Sequence, residues 1–328
     1  MARQIFSYII HKKGIPDDSA LELLSAAAKI DPEASVTAVV TGWGSDLSAA
    51  CREASKSYEH VWKVDNESIA YPDAALISAL LQRVLPRGNI VLIPHEHFGM
   101  DLAPGLSIGL GSTYLPDVVA VNGITGNLLL AVREEFNGMV STHVSCDTSE
   151  GAIITVRAGS FPPNENKDRS GLLTDKTDDA FQEGMPDCGR RFLELVQAEV
   201  GDVDITKSEV LVSVGRGIEE QENLEIIHEL AQAMGADVSC SRPIVDAKWM
   251  EKSRQVGTSG QTVKPKVYMA LGISGSFQHL GGIKGSPFIV AINKNLKAPI
   301  FQVADVGVVA DILDFIPSLT EKINEGKK

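Results

Sequence analysis

At 328 residues the chain is long enough for two domains, each with its own core, which excludes a small scaffold held together by disulfides. Acidic residues outnumber basic ones, 43 against 30, and the net charge of −13 argues against nucleic acid or an anionic membrane surface as the main partner. The charge is uneven: residues 208–328 carry 14 Asp and Glu against 13 Lys and Arg, a net of −1, while residues 1–207 carry 29 against 17, a net of −12.

In chain order, the short apolar run Gln4–Ile10 is followed by Asp17–Lys29, where Leu21, Leu24 and Ala28 have helical spacing. The strand-then-helix pair recurs as Val36–Val40 with Asp46–Ser55, Val61–Val64 with Pro72–Leu85, and Ile90–Ile93 with Asp101–Leu110. Such alternation predicts a parallel sheet covered on both faces. Beyond Asp117 the pattern changes to strand-like runs, Val118–Val121, Leu128–Glu134, Met139–Val144 and Ala152–Arg157, separated by turns such as Asn122-Gly123 and Asn137-Gly138. These are expected to be antiparallel strands added to the sheet's edge. Ala158–Gly189 loses periodicity and reads as loop or binding segment, and Arg190–Glu199 reads as a helix. From Val210–Val214 the alternation resumes through Glu222–Met234, Ala236–Ser239, Val267–Leu271, Phe288–Ile292, Ile300–Ala304 and Val308–Ile316. The fold class expected is therefore α/β with two domains, 1–204 and 205–328: the first a largely parallel sheet with antiparallel edge strands, the second doubly wound.

The four cysteines, Cys51, Cys146, Cys188 and Cys240, are too far apart for a zinc or redox pair and fit free thiols in a reducing compartment. No apolar run reaches the 18 residues of a membrane span, and Met1-Ala2-Arg3-Gln4 leads directly into a strand-like segment. A cytoplasmic protein is expected, or a mitochondrial matrix protein whose transit peptide has been removed.

Several loops carry candidate chemistry. Gly215-Arg216-Gly217 follows the apolar run Val210–Val214, where glycines let a backbone approach a phosphate closely; a tight turn without ligand fits equally. Glu220 stands where the dinucleotide fingerprint requires a third glycine, so that fingerprint is not met. Gly272-Ile273-Ser274-Gly275-Ser276 follows Val267–Leu271 and offers backbone N–H and hydroxyl donors suited to a diphosphate, with Gln278 and His279 close behind. It is not a nucleophile elbow, because Ser276 stands where that motif has glycine. Ser241-Arg242-Pro243 fits either a fixed functional arginine or a surface loop, and Gln255-Val256-Gly257-Thr258-Ser259-Gly260 either a hydroxyl-bearing binding loop or a plain connection. His95-Glu96-His97, read as extended, would put two imidazoles on one face, but no third metal ligand is identifiable.

Together these loops resemble the α subunit of electron transfer flavoprotein, most specifically over residues 210–317, where Ala291-Ile292-Asn293-Lys294 and Pro299–Asp305 extend the match. The first domain matches more loosely, through its β/α run and Gly99, Asp101, Leu102, Ala103 and Pro104. The resemblance implies FAD as cofactor, held by Arg216, Ser241, Arg242, Gln255, Gly257, Thr258, Ser259, Gly260, Gly272, Ser274, Gly275, Gln278, His279, Asn293 and Asp305. By resemblance, Arg242 lies against the isoalloxazine and favours the reduced, anionic flavin, since a guanidinium stays charged. Ser259 takes the position of the hydroxyl bonded to flavin N5, and His279 that of the donor to the pyrimidine carbonyl O2. Ser274 and Gly275 fall at the diphosphate, Gln278 near the ribityl chain, Asn293 and Asp305 towards the adenosine. It further implies a β subunit as heterodimer partner, acyl-CoA dehydrogenase-type flavoenzymes as donors, and a membrane quinone oxidoreductase or similar acceptor. Two alternatives stay open: a subunit of an electron-bifurcating complex that uses NADH, and a nucleotide-binding subunit without a redox role. Arg242 and Ser259 separate the last from the flavin reading, because an adenylate binder needs neither.

Overall fold

The computed structural model describes residues 4–136, 140–164, 166–190, 192–194, 203–283 and 287–327. The chain forms two compact units, Met1–Glu194 and Leu195–Lys328, and both are α/β.

The first unit opens with β1 (Gln4–Ile9), the two-residue strands β2 (His11–Lys12) and β3 (Ile15–Pro16), and α1 (Ser19–Ile30). There follow β4 (Ser35–Gly42), α2 (Gly44–Ala54), β5 (His60–Asp65), α3 (Ala74–Val84), β6 (Ile90–Pro94) and α4 (His97–Leu110). Next come β7 (Thr113–Thr125), β8 (Leu128–Glu135), β9 (Val140–Asp147), β10 (Ala152–Val156), β11 (Leu172–Asp175) and α5 (Thr177–Phe181). The large sheet has the order β11-β5-β4-β1-β6-β10-β7-β8-β9, parallel from β11 to β7 and antiparallel from β7 to β9. Strand alternation sorts side chains onto two faces: Ile5 and Ile9 pack with Leu23, Ala27 and Leu47 on one, Phe6 and Tyr8 with Ile77, Leu81 and Leu106 on the other. In α1 the buried Ala20, Leu23, Ala27 and Ile30 form one helical stripe, and in α3 Asp73 caps the first turn by accepting from the Leu76 N–H at 3.0 Å.

Three expectations change here. Ala152–Val156 is not an antiparallel edge strand; it lies between β6 and β7, parallel to both, with all five residues buried. The stretch 158–189 contains β11, parallel to β5 at the sheet's edge, and α5. Asn122-Gly123 is not the hairpin turn, since both residues lie within β7 at a register shift and the chain reverses at Gly126-Asn127. The Asn137-Gly138 turn lies outside the described residues, as does most of the Arg190–Glu199 helix.

The carboxyl ends of this sheet are closed by their own side chains. His11 Nε2 lies 3.1 Å from the Thr41 carbonyl, and Phe98, in the first turn of α4, stacks on Tyr8 with ring centroids 5.9 Å apart. Beyond β10, the Arg157 guanidinium donates to both oxygens of Asp117, at 2.8 and 2.6 Å, and to Glu134 at 2.5 Å. Asp117 sits at φ 58, a conformation that this fork of hydrogen bonds holds in place. Burial raises the Asp117 pKa, but the Arg157 hydrogen bonds and nearby charges outweigh it, and the net shift is downward. His95 bonds Thr155 at 2.9 Å, and Glu96 caps α4 by accepting from Gly99 at 2.9 Å. The segment His95-Glu96-His97 is thus a strand-to-helix turn and not an extended pair of ligands.

The second unit comprises β12 (Val210–Val214), α6 (Leu224–Met234), β13 (Asp237–Cys240), α7 (Arg242–Asp246), β14 (Val267–Leu271), α8 (Phe277–Leu280), β15 (Phe288–Ile292), β16 (Val306–Val308) and α9 (Ile312–Gly326). Its sheet, β13-β12-β14-β15-β16, is parallel throughout. Val212, Val214 and Leu271 pack with α6 and α9 residues such as Ile227, Leu230 and Ile316 on one face; Leu211, Tyr268, Ala270 and Ala291 form the core on the other. The run Ile300–Ala304, counted in the β/α alternation, is a 3-10 turn over Pro299–Gln302, and the strand begins at Val306.

Candidate functional site

In a doubly wound sheet, ligands settle outside the carboxyl ends of the strands, where consecutive strands depart in opposite directions. Here that point lies between β12 and β14, since the chain goes from β12 to β13 on one side and returns to β14 on the other. The loops leaving β12 and β14 meet there. The Gly217 N–H donates to the Gly272 carbonyl at 3.1 Å, and a Cβ on Gly272, whose φ is +61, would come within 2.7 Å of the Gly217 Cα. Glycine is required on both sides of this contact because backbone meets backbone.

Around this junction opens a cleft of about 710 Å³, within the size range of ligand pockets. Its walls come from the ends of β12 (Arg216), β13 (Ser241, Arg242), β14 (Gly272, Ser274) and β15 (Asn293), and from the loop Gln255–Ser259. That loop is fixed at several points: Val256 N–H donates to the Cys240 carbonyl at 2.9 Å, Gly257 N–H to the Gln261 carbonyl at 3.2 Å, and Thr258 N–H to the Gln278 carbonyl at 2.8 Å. Gln255 is buried and its amide donates to the Ser259 hydroxyl at 2.9 Å. With its oxygen accepting from Gln255, Ser259 keeps its own proton for a further acceptor. Asn293 donates to the Ile273 carbonyl at 2.9 Å and accepts from the Asn295 N–H at 2.8 Å, which braces the turn after β15.

Arg242 heads α7, with Pro243 behind it in the first turn, and its side chain is 68 % exposed, 3.4 Å from Asp246. His279 differs: it is 5 % exposed, its Nε2 lies 2.8 Å from the Tyr268 hydroxyl, and its Nδ1 is buried without a hydrogen-bond partner. Burial pushes its pKa down to about 4, so the ring is neutral at pH 7.

Of the residues singled out in the sequence, Arg216, Ser241, Arg242, Gln255, Gly257, Thr258, Ser259, Gly272, Ser274, Gln278, His279 and Asn293 line this one cleft. Gly260 and Gly275 stand behind its wall; a Cβ would meet the Gln255 carbonyl at 2.3 Å in the first and the Ile300 nitrogen at 2.4 Å in the second. Asp305 does not line it. Its backbone and carboxylate both bond Ile289, at 2.9 and 2.7 Å, which places it at the amino ends of β15 and β16, the opposite edge of the sheet. The acid at the carboxyl end beyond β16 is Asp311, which does line the cleft, as do Glu219 and Lys294. Lys294 pairs with Glu219 and lies 3.9 Å from Asp311. The signal that finds Asp311 is its place after the strand Val306–Val308 rather than before it.

This arrangement suits a dinucleotide: a glycine cradle for the diphosphate, hydroxyl and amide donors for a heteroaromatic ring, and an orphaned imidazole nitrogen awaiting a partner. Among the described residues no group of three or more His, Cys, Asp or Glu could hold a metal ion, and no helix is long and apolar enough to cross a membrane.

Comparison with known proteins agrees with the geometry. Residues 204–284 match the electron transfer flavoprotein FAD-binding domain, and residues 5–180 the electron transfer flavoprotein domain. The chain is 35% identical to the electron transfer flavoprotein subunit alpha of Methylophilus methylotrophus over 95% of its own length and 97% of the relative's. It is 29% identical to protein FixB of Clostridium saccharobutylicum, covering 98% and 96% of the two chains. Identity to the mitochondrial subunit alpha of Oryza sativa subsp. indica is 31%, over 97% and 89%. The chain belongs to the electron transfer flavoprotein α-subunit family, and its second unit is the FAD-binding one.

Proposed function

We propose that this chain is the FAD-carrying half of a heterodimer with a β subunit, and that it relays electrons from acyl-CoA dehydrogenase-type flavoenzymes to a membrane quinone oxidoreductase or similar acceptor. The observation that carries this reading is the cleft at the β12/β14 junction, where a glycine cradle and directed donors converge within the segment matched by the FAD-binding domain. When bound, the flavin supplies the redox chemistry, and the protein supplies binding, orientation and electrostatics. Ser274 and the backbone at Gly272 hold the diphosphate, with Gly275 packed behind them against Ile300 and Arg216 beside it. Ser259, oriented by Gln255, presents its hydroxyl proton to the ring at N5. His279 donates to the pyrimidine carbonyl, and Arg242 favours added negative charge on the ring. Asn293 and Asp311 face the adenosine, Asp311 taking the place that the sequence gives to Asp305. Residues 1–204 act as scaffold and partner contact, and residues 205–328 as the cofactor domain.

Co-expression with a β subunit is expected to yield a yellow heterodimer with one FAD in residues 205–328. A colourless complex that takes up no FAD would end this reading. Arg242→Ala is expected to weaken the preference for reduced over oxidised flavin roughly tenfold, a potential about 59 mV lower for one electron. An unchanged potential in a redox titration removes Arg242 from its role.

A further inference from the structure

The contact between Tyr268 and His279 has consequences beyond packing. Tyr268 stands in the middle of the sheet on β14 and is wholly buried; His279 reaches it from α8, on the far side of the glycine-rich loop. Two other hydroxyls lie on the same face of the sheet, Ser213 on β12 and Ser239 on β13, and both are buried without a hydrogen bond of normal geometry. Among the described residues the one such bond of the Tyr268 hydroxyl is to His279 Nε2, with the Ser213 and Ser239 hydroxyls as weaker neighbours. At the other side of the ring, Nδ1 faces the Val256 backbone of the cleft wall, also without a bond of normal geometry.

Counting protons decides the direction of this bond. A neutral imidazole has one donor and one acceptor nitrogen, and a phenol has one proton to give. If Nε2–H donated to the tyrosine, the phenolic proton would be left to the Ser213 or Ser239 hydroxyl, neither of which it meets in normal geometry, and Nδ1 would be a buried acceptor without a donor. If the tyrosine donates to Nε2, only Nδ1–H waits for a partner. The second arrangement keeps the tyrosine proton in its well-formed bond and leaves a donor rather than a lone pair at Nδ1, and a buried polar group left unsatisfied costs about 1–3 kcal/mol.

We propose that Tyr268 is a positioning residue for the cofactor site: its hydroxyl donates to Nε2 of His279, holds the ring as the Nδ1–H tautomer, and thereby makes that N–H the donor available to the ligand in the cleft. The ligand half of this assignment rests on the flavin reading above; the tyrosine–histidine half does not. The histidine becomes a donor of fixed polarity, suited to a carbonyl and unsuited to a ring N–H, so one hydroxyl in the core selects which edge of a heterocycle the cleft accepts. Burial, which keeps the imidazole neutral, makes tautomer choice the remaining variable at pH 7.

The test is long-range proton–nitrogen NMR on the full chain with ¹⁵N-labelled histidine, before and after adding FAD, with His279→Gln to identify the signal. The wild type is expected to show Nδ1 protonated and Nε2 as the unprotonated nitrogen in both samples. In Tyr268→Phe, which keeps the ring and removes the hydroxyl, the signal should move towards the Nε2–H form or a mixture, and FAD affinity should fall roughly three- to tenfold. A wild-type Nε2–H tautomer, or a Tyr268→Phe signal indistinguishable from wild type, overturns the proposal. If Tyr268→Phe does not fold, the wild-type spectrum still decides between the two tautomers. A wild type with Nδ1–H that takes up no FAD even in complex with the β subunit sinks the flavin reading and with it the ligand half, while sustaining the tyrosine–histidine half.

Discussion

In the first unit the chain leaves β1 for β4 on one side and reaches β6 on the other; in the second it leaves β12 for β13 on one side and reaches β14 on the other. Both sheets therefore have the divergence at which nucleotides bind, yet the two ends are finished in opposite ways. At the first, His11 meets the Thr41 carbonyl, Phe98 stacks on Tyr8, and Arg157 bridges Asp117 and Glu134. At the second, glycines bring two loops into backbone contact, and the polar groups around them point into a cleft. A shared topology creates the opportunity for a site; the residues that follow each strand decide whether it is filled by side chains or left for a ligand.

The largest expected effect breaks the open end. Gly272→Ala combines a left-handed backbone with a Cβ set against the Gly217 backbone, and is expected to cost about 3–5 kcal/mol and to abolish FAD uptake, read by denaturant unfolding and flavin absorbance. Wild-type-like stability would show that the two loops do not meet as described.

A second prediction uses pH. The folded-state pKa of His279 is about 4 against 6.5 for a free histidine, so between these values the unfolded chain binds more protons and stability falls as pH falls. Between pH 6.5 and 4 this group should remove about 3 kcal/mol from the wild type, an increment absent in His279→Gln. Parallel urea midpoints for the two proteins across that range would refute it.

The closed end gives smaller effects. Arg157→Ala leaves Asp117 half-buried without its fork and should cost about 2 kcal/mol near neutral pH. Because the Asp117 pKa is lowered on folding, the wild-type advantage is present above the ordinary aspartate value of 3.8 and disappears as pH falls below it. An advantage that persists at lower pH would argue against the ion pair as its source. The smallest effect is Gly44→Ala, at φ +61 with nothing within 4 Å of the added carbon: about 1 kcal/mol from backbone strain alone, measured by thermal unfolding. A loss as large as that of Gly272→Ala would mean that strain, not contact, dominates at both glycines.

The β/α alternation and most of the cleft are legible in the sequence because period and strand-end glycines are local signals. β10 is not, since Ala-Ile-Ile-Thr-Val is a continuous apolar run whose direction and neighbours depend on partners far along the chain. β11 is hidden by its shortness and largely exposed residues. The misplaced acid has a particular cause. Ala304-Asp305 and Ala310-Asp311 are the same dipeptide on either side of β16, and only the strand between them shows which one reaches the cleft.

The last strand of the large sheet also has a consequence for handling the protein. Among the described strands β9 is hydrogen-bonded on one side only, to β8, and Leu128, Leu130 and Val140 near it are exposed. A free ladder beside apolar side chains is a template for edge-to-edge aggregation. The excess negative charge of residues 1–207 supplies mutual repulsion between copies, which salt screens over about 10 Å at 0.1 M. Concentrated preparations of the chain alone should therefore cloud first in high-salt buffer.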